Sequence, residues 1–348
     1  MKKDYLSILA NLKESDSANY QPDDKILIVD GLNTFIRAYT VNPSTNENGI
    51  HVGGISGFLM SVGFAIKNIK PTRVIICFDG KGGSVKRRKL FPEYKAQRRV
   101  KQHISRFGST ISIPDEKIAM SQQLHRLTEY LNELPVTVMN PENIEADDAM
   151  AYICQQVYPK SHCYIMSSDK DFLQLVDDRV QVWSPTKKRT YFKDTILEDF
   201  EIPYNNFLTY RLMKGDSSDN IPGIKGVGIK SLKKVLPMLF ENKTITIDDI
   251  VSFAEDNKGT KKIYDKIANS RDILELNYKL MQLKEVDIHG GAKQAIMRIV
   301  REPINRLVKF NFMKMILEDG LNGSFKNPDL WLRQVFSTLD AMADKTKE

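Results

Sequence analysis

Carboxylates recur in close groups along the middle of this chain. Glu145-Ala-Asp147-Asp148, Asp169-Lys-Asp171 and Asp216-Ser-Ser-Asp219 each place two or three acids within four residues. A spacing of three puts Glu145 and Asp148, and likewise Asp216 and Asp219, on one face of a helical turn. Packed together without a cation, they would repel. Oxygen donors of this kind suit a hard divalent ion such as Mg²⁺, which keeps several waters that a substrate phosphate can replace. These residues therefore point to a metal-dependent phosphodiester site.

Such a site needs elements that deliver the acids to one place. Lys25-Ile-Leu-Ile-Val-Asp30 is a continuous apolar run ending in an acid, and Arg73-Val-Ile-Ile-Cys-Phe-Asp79 repeats it after a helical stretch around Ile55 to Ile69. Further strands are predicted at Val136 to Met139 and at Cys163 to Asp169, the latter again ending in an acid. Apolar runs alternating with helices predict an α/β fold with a mostly parallel central sheet flanked by helices. Asp30, Asp79 and Asp169 would then lie at carboxyl ends of strands, the edge where open parallel sheets bind ligands. Glu145, Asp147 and Asp148 can converge on the same crevice.

Between the second and third strands, Lys81 to Lys101 holds nine Lys or Arg and one acid, Glu93, with Phe91 and Tyr94 among them. This is a basic stripe without partners inside the segment, the pattern of a polyanion-binding surface. Ser105 to Ile113 reads as a mobile loop, and helical periodicity returns from Ile118 to Leu134, ahead of Pro135. Farther on, Gly223, Gly226 and Gly228 form a turn opening onto a helix that carries Lys230, Lys233 and Lys234. Free backbone N–H groups in such a turn suit a phosphate. Pro303 to Leu317 reads as one amphipathic helix, and the chain from Met342 onward as a charged, frayed tail. Phe35 and Tyr39, four apart, read as core.

The 348 residues, 41% hydrophobic, can bury a substantial core. A net charge of +7 and a pI near 9.0 favour a polyanionic partner. Cys77, Cys154 and Cys163 contain no CxxC, which argues against a zinc site or a disulfide framework and fits a reducing, cytoplasmic setting. His51, His103, His125, His162 and His289 form no close ligand pair. No apolar run reaches the ~20 residues of a membrane span.

Together the motifs resemble the 5′-nuclease family, which includes the N-terminal domain of bacterial DNA polymerase I, phage 5′–3′ exonucleases and flap endonucleases. The matching pieces are Val29-Asp30-Gly31, Arg37-Ala38-Tyr39, Gly57-Phe58, Phe78-Asp79-Gly80, Pro92-Glu93-Tyr94-Lys95-Ala96-Gln97-Arg98, Glu145-Ala-Asp-Asp148, Ser168-Asp169-Lys170-Asp171 and Gly215-Asp-Ser-Ser-Asp-Asn-Ile-Pro-Gly223. The resemblance implies a first metal cluster of Asp30, Asp79, Glu145, Asp147 and Asp148, and a second of Asp169, Asp171, Asp216 and Asp219. It implies two Mg²⁺ ions, replaceable by Mn²⁺, and a K⁺ ion at a helix–three-turn–helix. Lys95 and Arg98 match arch positions that reach the scissile phosphate. Arg37, Tyr39, Lys86, Arg87, Arg88, Tyr94, Lys95, Arg98, Gly223, Lys225, Gly226, Gly228, Lys230 and Lys233 are the DNA-facing residues it implies.

The resulting expectation is a PIN-like α/β nuclease domain over residues 25–200 with an arch over 81–125. An N-terminal extension over 1–24 precedes the family's usual start. A helical DNA-binding region over 201–325 contains the helix–three-turn–helix at 220–237, and a tail covers 326–348. The expected function is a structure-selective, metal-dependent 5′ nuclease acting on 5′ flaps, nicks or RNA primers during DNA replication or repair. Its partners would be branched or nicked DNA and RNA–DNA hybrids, with a single-strand-binding protein or polymerase beside it. It would act as a monomer in a bacterial or phage-infected cell. A non-catalytic DNA junction binder, with structural acids, is the competing class. A single-strand ribonuclease of a related acidic-site fold is a third, and it leaves the basic stripe and the glycine turn without a purpose.

Overall fold

The computed structural model describes residues 21, 23–98, 103–106 and 112–346. Most of the expected N-terminal extension and parts of the expected arch, with residues 107–111 of the Ser105 to Ile113 loop among them, lie outside the described residues. In chain order the main elements are β1 (Lys25–Asp30), α1 (Gly31–Val41), α2 (Gly53–Ile69), β2 (Arg73–Cys77), α3 (Val85–Leu90), α4 (Ile113–Asn132), β3 (Thr137–Met139), α5 (Ala146–Tyr152), β4 (His162–Met166), β5 (Val180–Ser184) and β6 (Arg189–Tyr191). They continue as α6 (Lys193–Phe200), α7 (Phe207–Lys214), α8 (Ile229–Val235), α9 (Ile247–Asp256), α10 (Lys262–Ala268), α11 (Arg271–Met281), α12 (Gly290–Arg301), α13 (Lys309–Glu318) and α14 (Pro328–Lys345).

The sheet has the order β3-β2-β1-β4-β5-β6, parallel throughout except for β6. The expectation of a mostly parallel sheet between helices holds, because the central strands are apolar on both faces. Side chains alternate along them. Ile26, Ile28, Ile75 and Ile165 pack on one face with Ala149, Met150 and, from α12, Ile296. Leu27, Val29, Val74 and Ile76 pack on the other with Phe35, Phe58, Leu127 and, from α14, Phe336. Strand order runs outward in both directions from β1 and β4. Asp30 ends β1 and Asp169 follows β4, so these two acids flank the switch point of the sheet.

A separate core lies within residues 202–281, where Tyr210, Leu232, Leu239, Ile250 and Leu274 are buried together. Tyr94 of the basic stripe is buried in that core, so the excursion is anchored on the helical region. Asn277 donates from Nδ2 to the carbonyls of Leu212 (2.8 Å) and Pro222 (2.7 Å), tying α11 to the turn that carries Asp216 and Asp219.

Three expectations about boundaries need correction. Pro303 to Leu317 is not one helix: residues 303–308 are irregular and α13 starts at Lys309, because Ile304 and Leu307 are held by bonds from their backbone N–H groups to Thr346 and Asp340. Within the expected tail over 326–348, the described residues 326–346 are not free. Helix α14 buries Leu332, Val335, Phe336 and Leu339 against the sheet core, and Met342 and Ala343 pack on Ile304. The helical region therefore does not extend as one unit to residue 325, since α12, α13 and α14 return to the α/β core.

The Asp216 turn depends on close backbone approach. Gly215 has φ +70°, and a Cβ on Gly223 would lie 2.0 Å from the Lys214 carbonyl oxygen. Gly223→Ala should cost about 1–3 kcal/mol or more by forcing these strands of backbone apart. A lower urea midpoint with an unchanged slope is the expected result.

Candidate active site

Each acid is positioned by a local device. Asp30 caps α1, accepting from Asn33 N (3.1 Å), and its other oxygen accepts from Ser167 Oγ (2.9 Å). Asp79 accepts from Ala146 N (2.8 Å), which joins the end of the second strand to the start of α5. Glu145 is the N-cap of α5, and Asp147 and Asp148 lie in its first turn, so the helix geometry fans the three out over the sheet edge. Asp169 accepts from the Asp171 backbone N–H (2.9 Å) in a tight helical turn. Asp216 accepts from Ser218 N (2.7 Å) and Oγ (2.6 Å).

The carboxylates feel one another. Burial pushes Asp30 up to about 7, with Asp147 and Asp169 adding to the rise. Asp79 is raised by the protein packed around it and by Asp147 and Glu145. Asp169 is raised by burial, Asp147 and Asp219. Asp147 is thus the acid around which both expected clusters meet. Asp171, buried beside Asp169, rises to about 7.

Three cations offset this repulsion. Arg87, only 8% exposed, donates to Glu145 (2.7 Å) and, through both terminal nitrogens, to Asp148 (2.7 and 2.8 Å). Lys95 Nζ lies 2.7 Å from Glu145 Oε1, and the Tyr94 hydroxyl donates to Oε2 at 3.0 Å. Glu145 is 1% exposed, and burial alone would raise it, yet Arg87 and Lys95 hold it down at about 2. Arg211 bridges Asp171 (2.8 Å) and Asp216 (2.6 Å).

The basic residues divide into two groups. Arg87 and Tyr94, expected to face DNA, point inward and serve the acids. Tyr39, also expected at the DNA, is 2% exposed in the core, its hydroxyl directed at the Glu116 carbonyl oxygen. Lys86, Arg88, Lys225, Lys230 and Lys233 are exposed, with Lys86 paired to Asp287 and Lys233 to Glu201. Arg37 is half-buried and bonded to Ser61 Oγ at 2.9 Å. Arg98 ends a short turn of helix beside Lys95. Sequence reasoning missed Arg211, Ser84 and Ser167. Ser84 donates to Glu145 at 2.5 Å. Nothing in the type or spacing of these three sets them apart.

Between Asn33, Asp169, Arg211 and Asp216 lies a cavity of about 430 Å³ opening to solvent. Among the described residues, no three of the acids close into a finished metal cage. The donor set nevertheless fits a hard divalent ion: the crevice offers carboxylate oxygens, mutual repulsion favours an added cation, and open space remains for waters. All three cysteines are buried and free, with Cys77 in register with Asp30 on the neighbouring strand.

A sequence model described as "5′-3′ exonuclease, N-terminal resolvase-like domain" matches residues 25–201. The chain belongs to this 5′-3′ exonuclease family. A 5′-3′ exonuclease of Aquifex aeolicus is 27% identical over 285 residues, 81% of this chain and 89% of its own. Flap endonuclease Xni of Shewanella denitrificans is 29% identical over 261 residues, 74% of this chain and 92% of its own. The fold is similar to that of the bacteriophage T5 D15 flap endonuclease solved with DNA and metal ions, with a TM-score of 0.60, 24% identity, and coverage of 85% of this chain and 99% of that one.

Two outcomes follow for this family member. Asp147→Asn should raise metal-free stability by roughly 1 kcal/mol while shrinking the rise in Tm on adding Mg²⁺, because one repelling charge is gone. Arg87→Met should cost about 3–5 kcal/mol, since Glu145 and Asp148 would be left buried with their main partner lost. Thermal melts with and without the ion measure both.

Proposed function

We propose that the protein is a structure-selective, divalent-metal-dependent 5′ nuclease hydrolysing phosphodiesters at 5′ flaps, nicks or RNA primers in DNA replication or repair. The observation that carries this reading is the meeting of Asp30, Asp79, Asp147 and Asp169 at one edge of a parallel sheet, with Lys95 beside them, in a chain of the 5′-3′ exonuclease family.

Asp30, Asp79, Glu145, Asp147 and Asp148 would hold one Mg²⁺ ion, and Asp169, Asp171, Asp216 and Asp219 a second, with Mn²⁺ as a substitute. Bound there, such ions supply a water of lowered pKa and relieve charge on the departing oxygen. The chain itself orients the acids through Asn33, Ser167, the Ala146 N–H and Arg211. Lys95 is held beside the site at φ +57°, a left-handed conformation uncommon for lysine, by a bond from its N–H to the Asp219 carbonyl (2.9 Å). Its ammonium and the Arg98 guanidinium would stabilise the added negative charge on the phosphate.

Duplex contacts are assigned to the turn at Gly223, Gly226 and Gly228 with Lys225, Lys230 and Lys233, a helix–three-turn–helix with K⁺ as its ion. Arg37, Lys86 and Arg88 supply further charge. Such contacts read backbone and shape, so affinity should fall by roughly 0.9 log units per log unit of salt for each duplex phosphate neutralised. Among the described residues no helix is long and apolar enough to cross a membrane. We assign the protein to the cytoplasm as a monomer, with a single-strand-binding protein or polymerase as the partner at the replication site.

A 5′-labelled flap duplex, a blunt duplex and an RNA-primed duplex, each with and without Mg²⁺, test this reading. Cuts at the flap junction that require the ion are expected. Asp171→Asn should abolish them while keeping substrate binding, and surviving turnover would remove the second cluster from the mechanism. Lys95→Ala should slow single-turnover cleavage roughly 10²–10³-fold with little change in Kd. A loss confined to Kd would make Lys95 an electrostatic contact only.

A further inference from the structure

On the β5 side of Asp169, away from Asp79 and Glu145, the sheet edge opens into another cavity of about 370 Å³. Its floor is Val182 of β5, Tyr191 of β6 and Phe200 of α6, and its rim carries Lys170 and Lys187. Ser168, Asp169 and Lys170 also line the acid crevice, so the two cavities share a wall. The Tyr191 and Phe200 rings lie 6.0 Å apart, inclined by 39°, and the Lys170 ammonium is 5.7 Å from the centre of the Phe200 ring. The other carboxylate at the cavity, Asp199, is engaged by Arg189 (2.7 Å) and by the Tyr191 hydroxyl (2.8 Å).

None of the residues assigned to the metal clusters needs this cavity apart from Asp169. Its volume suits a small ligand and is far below that of a duplex. An aromatic and aliphatic floor with cations confined to the rim suits a flat heterocycle attached to an anion: the ring stacks on the floor while the lysines meet the phosphate. The shared wall places that anion beside the acids.

We propose that this cavity is a nucleobase subsite, taking the unpaired base of one of the two nucleotides that flank the phosphate held at the acid crevice. The inference rests on the nuclease reading above and deepens it, because it adds a contact to the base where the other contacts address the backbone. Any base has a stacking face, so purines and pyrimidines should both enter.

The test uses the full chain and flap duplexes carrying an abasic residue at one or the other flanking position. One abasic substitution should raise KM roughly tenfold, the effect of losing a stacked base. Ser184, on the same face of β5 as Val182, lines the cavity. Ser184→Phe should fill it, giving the intact flap the KM of the abasic one and erasing the difference between them. Unchanged KM for both abasic substrates, or full discrimination retained by a folded S184F, would overturn the subsite. Should S184F fail to fold, 2-aminopurine at the same positions in the wild-type complex decides. Quenching on binding in Ca²⁺, reversed by competing 5′-dAMP, supports the subsite, and unaltered emission at both positions overturns it. That binding measurement does not require turnover, so it separates failure of the subsite from failure of the nuclease reading, which metal-dependent cleavage of the intact flap tests.

Discussion

The structure is arranged around the repulsion of carboxylates gathered at one edge of a sheet. Asp30, Asp147 and Asp169 each sit in surroundings where protein has replaced water, or raise the proton affinity of neighbours that do. Burial raises Asp30 and Asp171 to about 7, and neighbouring acids add to the rise. Folding tolerates it because the strands that carry these acids are apolar on both faces and deeply buried, so the acids occupy only the strand ends.

The offsetting charges come from outside the sheet. Arg87 and Lys95 belong to the excursion after β2, and Arg211 to α7 of the helical region. Site formation therefore requires all three parts to be in place. Tyr94 makes the link explicit: its ring is buried among the helices while its hydroxyl donates to Glu145. The backbone bond from Lys95 to Asp219 runs in the same direction, from the excursion to the turn that carries the second pair of acids.

Much of this is legible in the sequence, for physical reasons. Continuous apolar runs ending in Asp30, Asp79 and Asp169 mark buried parallel strands, and their ends must face one edge whatever the connections do. The stripe from Lys81 to Lys101 is legible as charge but not as direction. A run of cations looks alike whether it faces solvent or reaches inward, and only the third dimension separates Arg87 from Arg88. Strand β5 alternates, with Val180 and Val182 buried and Gln181 between them, so it lacks the continuous apolar run of the central strands, and β6 is three residues among Lys187, Lys188 and Lys193. Arg211 has no local signal because Asp171 reaches it only through the packing of α7 against the turn after β4, and Asp216 only through the turn at Gly215. The final helix buries a stripe of Leu332, Val335, Phe336 and Leu339, but the charged residues toward its end, Asp340, Asp344 and Lys345, make the end of the chain read as a tail.

The choice of cation at each position follows from what it must satisfy. Arg87 serves Glu145, both oxygens of Asp148 and, through Nε, the Leu280 carbonyl at 2.8 Å, a set that only the planar fork of a guanidinium can reach at once. Buried with those partners, it is a fixed part of the scaffold. Lys95 meets Glu145 through one ammonium on a four-carbon stem, with the Tyr94 ring 4.8 Å beneath it. A compact charge of that kind can exchange one anionic partner for another without leaving a fork half-empty. The forked cation therefore keeps the acids together, and the single ammonium of Lys95 has the chemistry that its proposed role toward a phosphate needs.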